Sequence, residues 1–312
     1  MNEKNTLAQC LHKYDMESLH AYCAEYSVAF TEDAKDAVCT ALSSRLLEEK
    51  VLEQRLGILE DDILQGLLDL MAGKKIENED IIDHLDGLDL IYGSQEDQSW
   101  HIPFEVTDAL KIKDDVWDSK RRSRVWLMQC LSIIQHYWAD APMEVMKQLY
   151  QKNPDVDQSA NLKELFQEIP VSEITCVMIE DSFVIRGWRS SEVFAGYREK
   201  QKKHSYYLPS MEEVLDLYRN DFDTLNQYGI SVKEWFLKNG AEADDLELLL
   251  HEMWNDMNYG HLEKEILQEA ESMITFDNKK EQEQFRQMIH AWYIHAGRID
   301  LRGHCIAEQE KN

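Results

Sequence analysis

The stretch DDILQGLLDLMAGKKIENEDIIDHLDGLDLIYGSQEDQSWHIP, residues 61–103, decides the fold class. Its first part spaces Ile63, Leu64, Leu67, Leu68 and Met71 by three and four residues, which gathers apolar side chains on one helical face. Gly73 stops it, because a helix end favours a residue that tolerates the left-handed conformation. A second helix follows Asn78, a side chain suited to accept from free backbone N–H groups. It turns Ile81, Ile82 and Leu85 inward and ends at Gly87. Two strand-like runs, Leu88–Tyr92 and Trp100–Pro103, then flank the polar turn Gly93–Ser99. Two helices and a hairpin are the outline of a winged helix. The fold class that follows is mainly α with small β-hairpins.

Downstream the outline recurs. Arg122–Trp138 reads as a helix, Pro142 suits the first position of Met143–Tyr150, and Asn161–Ile169 is closed by Pro170. Ile174–Ile179 and Phe183–Arg186 flank Glu180–Asp181 as a second hairpin. Upstream, Leu7, Leu11 and Tyr14 share a face, Leu19, Tyr22 and Cys23 follow, and Val38, Ala41, Leu42 and Leu46 resume helical spacing after the polar step Thr31–Asp33. That helix, loop, helix pattern resembles small SAP-like or Rho N-terminal-like modules, although the acids there outweigh Lys13 and Lys35. From Ser190 onward the chain reads as helix throughout, with Ser210–Glu213, Ser231–Glu234 and Asn278–Glu281 spaced as capping boxes and with stops at Gly240 and Gly297. The polar, basic gap over 187–209 reads as a domain border. The expected division is an N-terminal helical, SAP-like segment over 1–55, winged-helix-like units over 56–115 and 116–189, and an all-helical domain over 206–312.

Composition narrows the function classes. The 312 residues carry 60 Asp and Glu against 33 Lys and Arg, a formal net charge of −27. Such a field repels polyanions at long range, whereas a protein that coats DNA needs an excess of cations facing phosphate. Val125–Ala139 is the most apolar run, but Gln129, Ser132, Gln135 and His136 interrupt it, and it is shorter than a bilayer requires. It reads as a buried helix, so no membrane role is expected. The opening residues Met1–His12 lack a basic start, an apolar block and a cleavage site. The six cysteines form no C-x-x-C pair. Reduced, mostly buried thiols and a cytoplasmic location are the expectation.

Local motifs for catalysis are missing. There is no G-x-S-x-G elbow, P-loop or G-x-G-x-x-G run. Asp61–Asp62 and Asp244–Asp245 are adjacent, so on a helix they diverge by roughly 100°. His251, Glu252 and His261 lie near one another in sequence, and His290, His295 and His304 recur towards the end. The five-residue step from His290 to His295 differs from the four-residue step of a zinc-protease helix. No catalytic, cofactor-binding or metal-binding residue is therefore assigned, and no cofactor is expected.

Basic residues do cluster. Lys120, Arg121, Arg122 and Arg124 form one group, preceded by Lys111 and Lys113. Arg186, Arg189, Arg198, Lys200, Lys202 and Lys203 form another, interleaved with Trp188, Tyr197, Tyr206 and Tyr207. Cations beside aromatic rings can hold phosphates and stack bases. The plainer reading makes them a solvated face or intramolecular partners for the acidic excess. Aromatic residues of the last third (Trp235, Phe236, Trp254, Tyr259, Trp292, Tyr293) read as a helical core, with a partner groove as the alternative.

The segment from Ile294 to Glu308, IHAGRIDLRGHCIAE, resembles the tail of bacterial SEC-C-associated, YecA-like uncharacterised proteins. Arg298, Gly303, His304 and Glu308 match the spacing of that tail motif. The Asn pair, the aromatic residue and the Thr-Pro of the family pattern are replaced. The resemblance covers about the last third of the chain, without the zinc-binding SEC-C cysteines, and it implies no particular activity.

The resulting expectation is a non-catalytic protein-interaction or regulatory protein whose helical half docks a protein partner. The alternative is a nucleic-acid-binding regulator using the winged-helix-like units and both basic clusters. In a variant, the acidic surface mimics DNA.

Overall fold

The structure, a computed structural model, describes residues 5–29, 34–94, 99–111, 113–187 and 192–309. It is mainly helical with small antiparallel strand pairs. The chain divides into two compact units, one of residues 1–125 and 159–170 and one of residues 126–158 and 171–312.

The first unit holds α1 (Leu7–Leu11), α2 (Met16–Glu25), α3 (Lys35–Leu46), α4 (Glu49–Leu56), α5 (Asp61–Met71) and α6 (Glu79–Gly87). The hairpin β1 (Tyr92–Ser94) and β2 (Ser99–His101) follows, then α7 (Phe104–Leu110). The first part of α8 (Asp115–Ile133) also belongs here, and so does α10 (Leu162–Glu168). Two helix starts show a local cause: Asn78 accepts from the Asp80 N–H at 2.9 Å, and Asn161 from the Lys163 N–H at 3.1 Å. The strands are shorter than the runs expected, pairing Tyr92 with His101 and Ser94 with Ser99. The polar steps at Thr31–Asp33 and at residues 95–98 lie outside the described residues.

No border falls at residue 55. Tyr92 packs into the core of Leu7, Leu11, Leu19, Val38, Leu42 and Leu46. Arg55, buried, donates to the backbone carbonyls of Leu46, Leu88 and Asp89. The N-terminal helices thus share one interior with the hairpin and are tied through Arg55 to the backbone that follows α6.

The second unit begins within α8, which passes into a π-helix at Ile134–Trp138. It continues through β3 (Asp140–Pro142), α9 (Met143–Tyr150), a 3-10 turn at Val171–Glu173, β4 (Cys176–Ile179) and β5 (Ser182–Ile185). The hairpin lies where the sequence places it, turning at Glu180 with φ 55°. It gains a third strand, in the order β3-β5-β4. β3 is an edge strand, a position that tolerates Pro142. The expected unit over 116–189 is split, because α10 belongs with the first unit and this sheet with the second.

The helices α11 (Glu192–Gln201), α12 (Met211–Asn220), α13 (Gln227–Lys238), α14 (Ala243–Asn258), α15 (Glu263–Ser272), α16 (Lys279–His295) and α17 (Ile306–Gln309) complete this unit, with a 3-10 turn at Ile299–Leu301. Ser210 and Glu213 form the expected capping box, and Asn278 accepts from the Glu281 N–H. Ser231 caps nothing; Asn226 starts α13, and Ser231 lies inside it, donating to the Gln227 carbonyl. The 187–209 gap is no border either: α11 occupies it, and its terminal Gln201 is fully buried within the second unit.

The run read as a buried helix is buried: Val125–Leu131, Ile133 and Ile134 are all shielded. Among the described residues no helix is long and apolar enough to cross a membrane. All six cysteines are free thiols, and five of them are buried.

Candidate functional site

The site grows from a defect in a helix. The π-helix ends with the Ala139 N–H donating to the Ile134 carbonyl at 2.7 Å, and Ala139 itself takes φ 61°, a conformation costly for a residue with a Cβ. A helix end leaves carbonyls without intrahelical donors. Two buried amides answer them. Asn258, at the end of α14, donates to the His136 carbonyl at 2.7 Å and to the Gly297 carbonyl at 2.9 Å. Gln201 donates to the Trp138 carbonyl at 3.0 Å and to the Ile299 carbonyl at 2.6 Å. The π-helix is thereby fastened to the Gly297–Gly303 loop. In addition, Trp138 Nε1 donates to the Tyr207 carbonyl.

This loop lies within the tail segment Ile294–Glu308. Arg298 forks onto Asp300 with two bonds of 3.0 Å, a bidentate pair that fixes its plane. Its backbone bonds to His304 and Gly303 close the loop. Gly297 and Gly303 flank the Tyr137 ring so tightly that an added Cβ would stand 2.7 Å and 3.0 Å from ring or Cβ atoms, and Gly303 has φ +85°. Both glycines are there because the ring leaves no room. His304 packs its ring edge-on to Tyr207 and pairs with Glu308 at 2.8 Å.

Together these parts frame a cavity of about 200 Å³ lined by Tyr137, Tyr207, Glu213, Asp223, Asn226, His295, Cys305 and Glu308. Glu213 accepts from the Tyr207 hydroxyl at 2.5 Å and from the Ser210 N–H at 2.7 Å. Burial, then the charges of Asp216 and Glu213, push the Asp223 carboxyl up to about 6. Burial first, and Asp223 and Glu213 next, hold the Tyr137 hydroxyl well above its ordinary range. Burial also raises the Cys305 thiol. Nearby, Asp221 joins His136 at 3.0 Å and His251 at 3.5 Å, and the His136 hydrogen bond lowers its carboxyl. Among the described residues no three His, Cys, Asp or Glu side chains are placed to hold a metal ion.

Of the tail motif, His304 meets the cavity through Glu308 and Tyr207, Gly303 lines it, and Arg298 braces the loop behind it. The basic clusters sit elsewhere. Lys120 pairs with Glu168 at 2.7 Å. Arg121 is buried and binds Asp118, Asp61 and the Leu59 carbonyl. Arg122 pairs with Asp118 at 3.1 Å. Arg124, also buried, binds Glu168 at 2.8 Å and Glu53 at 3.0 Å. Of these groups Lys120, Arg124, Glu53 and Glu168 line a cavity of about 610 Å³ in the first unit, in which Glu53 also accepts from Trp117 Nε1 at 2.9 Å and from Lys113.

In the second cluster Arg186 donates to the carbonyls of Val171 and Ile174, tying down the hairpin. Arg198 lies 3.4 Å from Asp140, Lys200 lies 3.3 Å from Asp300, and Lys202 pairs with Glu199. Lys203 is exposed. Arg189, with Trp188, lies outside the described residues.

Sequence reading missed Tyr137, Asp223, Gln201 and Asn258. Nothing local marks them: Gln201 and Ile299 are 98 residues apart, and Asn258 and His136 are 122 apart. The chain matches no family model, no curated protein and no solved structure.

Proposed function

We propose that this chain is a non-catalytic interaction or regulatory protein whose C-terminal helical unit docks a basic polypeptide. One observation carries the reading: most of the cations that cluster in sequence are paired with carboxylates of the same unit, Arg121 and Arg124 in buried positions. Lys120, Arg121, Arg122, Arg124, Arg198, Lys200 and Lys202 each face a carboxylate of their own unit. A guanidinium held by two carboxylates gains little from a phosphate that must displace them. What remains for a partner is the surplus of the −27 charge, which steers cationic surfaces and speeds their encounter. In this reading the winged-helix-like units, the first of them α5 and α6 with the β1–β2 hairpin, present surfaces to protein.

Capture of a lysine-rich polypeptide and of duplex DNA on the same immobilised protein tests the reading. Binding of the polypeptide, weakening with salt, is expected. Duplex capture at about 0.15 M salt, lost in the combined Lys200→Ala, Lys202→Ala and Lys203→Ala variant, would replace it with a nucleic-acid-binding regulator. Competition between duplex and this protein for one basic partner would identify the DNA-mimic variant.

A further inference from the structure

We propose that the cavity beneath the Gly297–Gly303 loop receives the alkylammonium head of a lysine side chain carried by that basic partner. The proposal rests on the docking function above and names where the contact is made.

Size comes first. A volume of about 200 Å³ admits one extended side chain, whereas sites for drug-sized ligands begin at roughly 300 Å³. Charge comes second. The lining holds the carboxylates of Glu213, Asp223 and Glu308, and among the described residues it includes neither Lys nor Arg. Glu213 is committed to the Ser210 cap and the Tyr207 hydroxyl, and Glu308 to His304 and the Cys305 N–H, which leaves Asp223, an acceptor from the Leu225 N–H, as the carboxylate set to meet an incoming cation.

The independent observation is Tyr137. Its side chain is 3% exposed, yet among the described residues its hydroxyl has no hydrogen-bond partner. The ring is clamped by Gly297 and Gly303, with the phenolic end in the field of Asp223 and Glu213. Tyr137 lines the acidic cavity, so a group entering it can reach this hydroxyl. An ammonium group supplies N–H donors for the phenol oxygen and for the Asp223 carboxylate. Burial first, and the like charges of Asp216 and Glu213 after it, raise the Asp223 carboxyl.

The test titrates the full chain with the neutral-ended peptide acetyl-Gly-Gly-Lys-Gly-Gly-amide at about 0.15 M salt. The Nε-acetyl-lysine form, the norleucine form and 1,5-diaminopentane serve as comparisons, and binding is followed by NMR shifts. Saturable binding is expected, abolished by acetylation and weakened about tenfold in Tyr137→Phe and in Asp223→Asn. Glu283→Gln, an exposed acid on α16, should leave it unchanged. Tyr137→Phe alters no charge, so a diffuse attraction to an acidic protein would not respond to it. Glu308→Gln replaces either variant if its melting profile shows loss of fold.

Equal binding by wild type, Tyr137→Phe and Asp223→Asn would overturn the lysine site and leave the docking function standing. Binding of the diamine alone, sensitive to Tyr137→Phe, would overturn the lysine source and point to a free amine, in which case the docking function loses its contact. No binding of either amine would overturn the site, while capture of the lysine-rich polypeptide still judges the docking function by itself.

Discussion

Asp223 is a carboxyl whose folded state favours the proton, near 6 against an ordinary 3.8. Between those values the folded chain binds more protons than the unfolded chain, so this group's contribution to stability falls as pH rises through the window. Asp223→Asn should therefore stabilise the second unit at pH 7 by on the order of 2 kcal/mol, with the gain fading towards pH 4. Thermal melts of both proteins across that range check it. Asp89 repeats the pattern in the first unit: it is buried, raised to about 6 chiefly by burial, and accepts from the Tyr26 hydroxyl at 2.5 Å. Gly303 is constrained twice, by φ +85° and by the Tyr137 side chain 3.0 Å from where a Cβ would stand. Gly303→Ala should cost roughly 2 kcal/mol or more, read as a lowered Tm. Neither Asp223 nor Asp89 announces itself in sequence; Gly303 stood out there only as one position of the tail segment, without the reason that the tyrosine ring supplies.

At the scale of elements, local chemistry was legible where a cap and its acceptor lie within four residues. Asn78, Ser210 and Asn278 each cap the helix they were expected to cap, and Asn161 caps α10. Ser231 has the same spacing and fails, because Asn226 starts the helix a turn earlier. The hairpin about Glu180–Asp181 was equally local, whereas its partner strand Asp140–Pro142 pairs across some forty residues and left no alternating signature in three positions. The π-helix is a long-range product too: its freed carbonyls are tolerable because Asn258 and Gln201 reach them. Asn258→Leu should leave the His136 and Gly297 carbonyls buried without that donor and cost about 2–3 kcal/mol, measured by denaturant unfolding. On α8, Arg124→Leu should cost about 3 kcal/mol, because Glu53 and Glu168 lose a shared buried partner.

For the whole molecule, charge dominates. A net −27 works against compaction, so raising salt from about 0.05 to 0.5 M should raise the Tm through screening; a fall would mean that the internal ion pairs outweigh the general repulsion. Sequence alone determined that the chain is helical, acidic and marked by small hairpins, because periodicity, caps and net charge are summed over neighbours or over the entire chain. It could not say which cation meets which anion. Lys120 meets Glu168, and Arg121 meets Asp61, only after the backbone has folded. The division into units was likewise beyond it, since residues 159–170 join the first unit across an interval assigned to the second. The cavity belongs to the same class. Tyr137, Asp223 and Glu308 are unremarkable alone and acquire their chemistry from burial beside one another, a property that arises when separated segments are brought together and the water between them is removed.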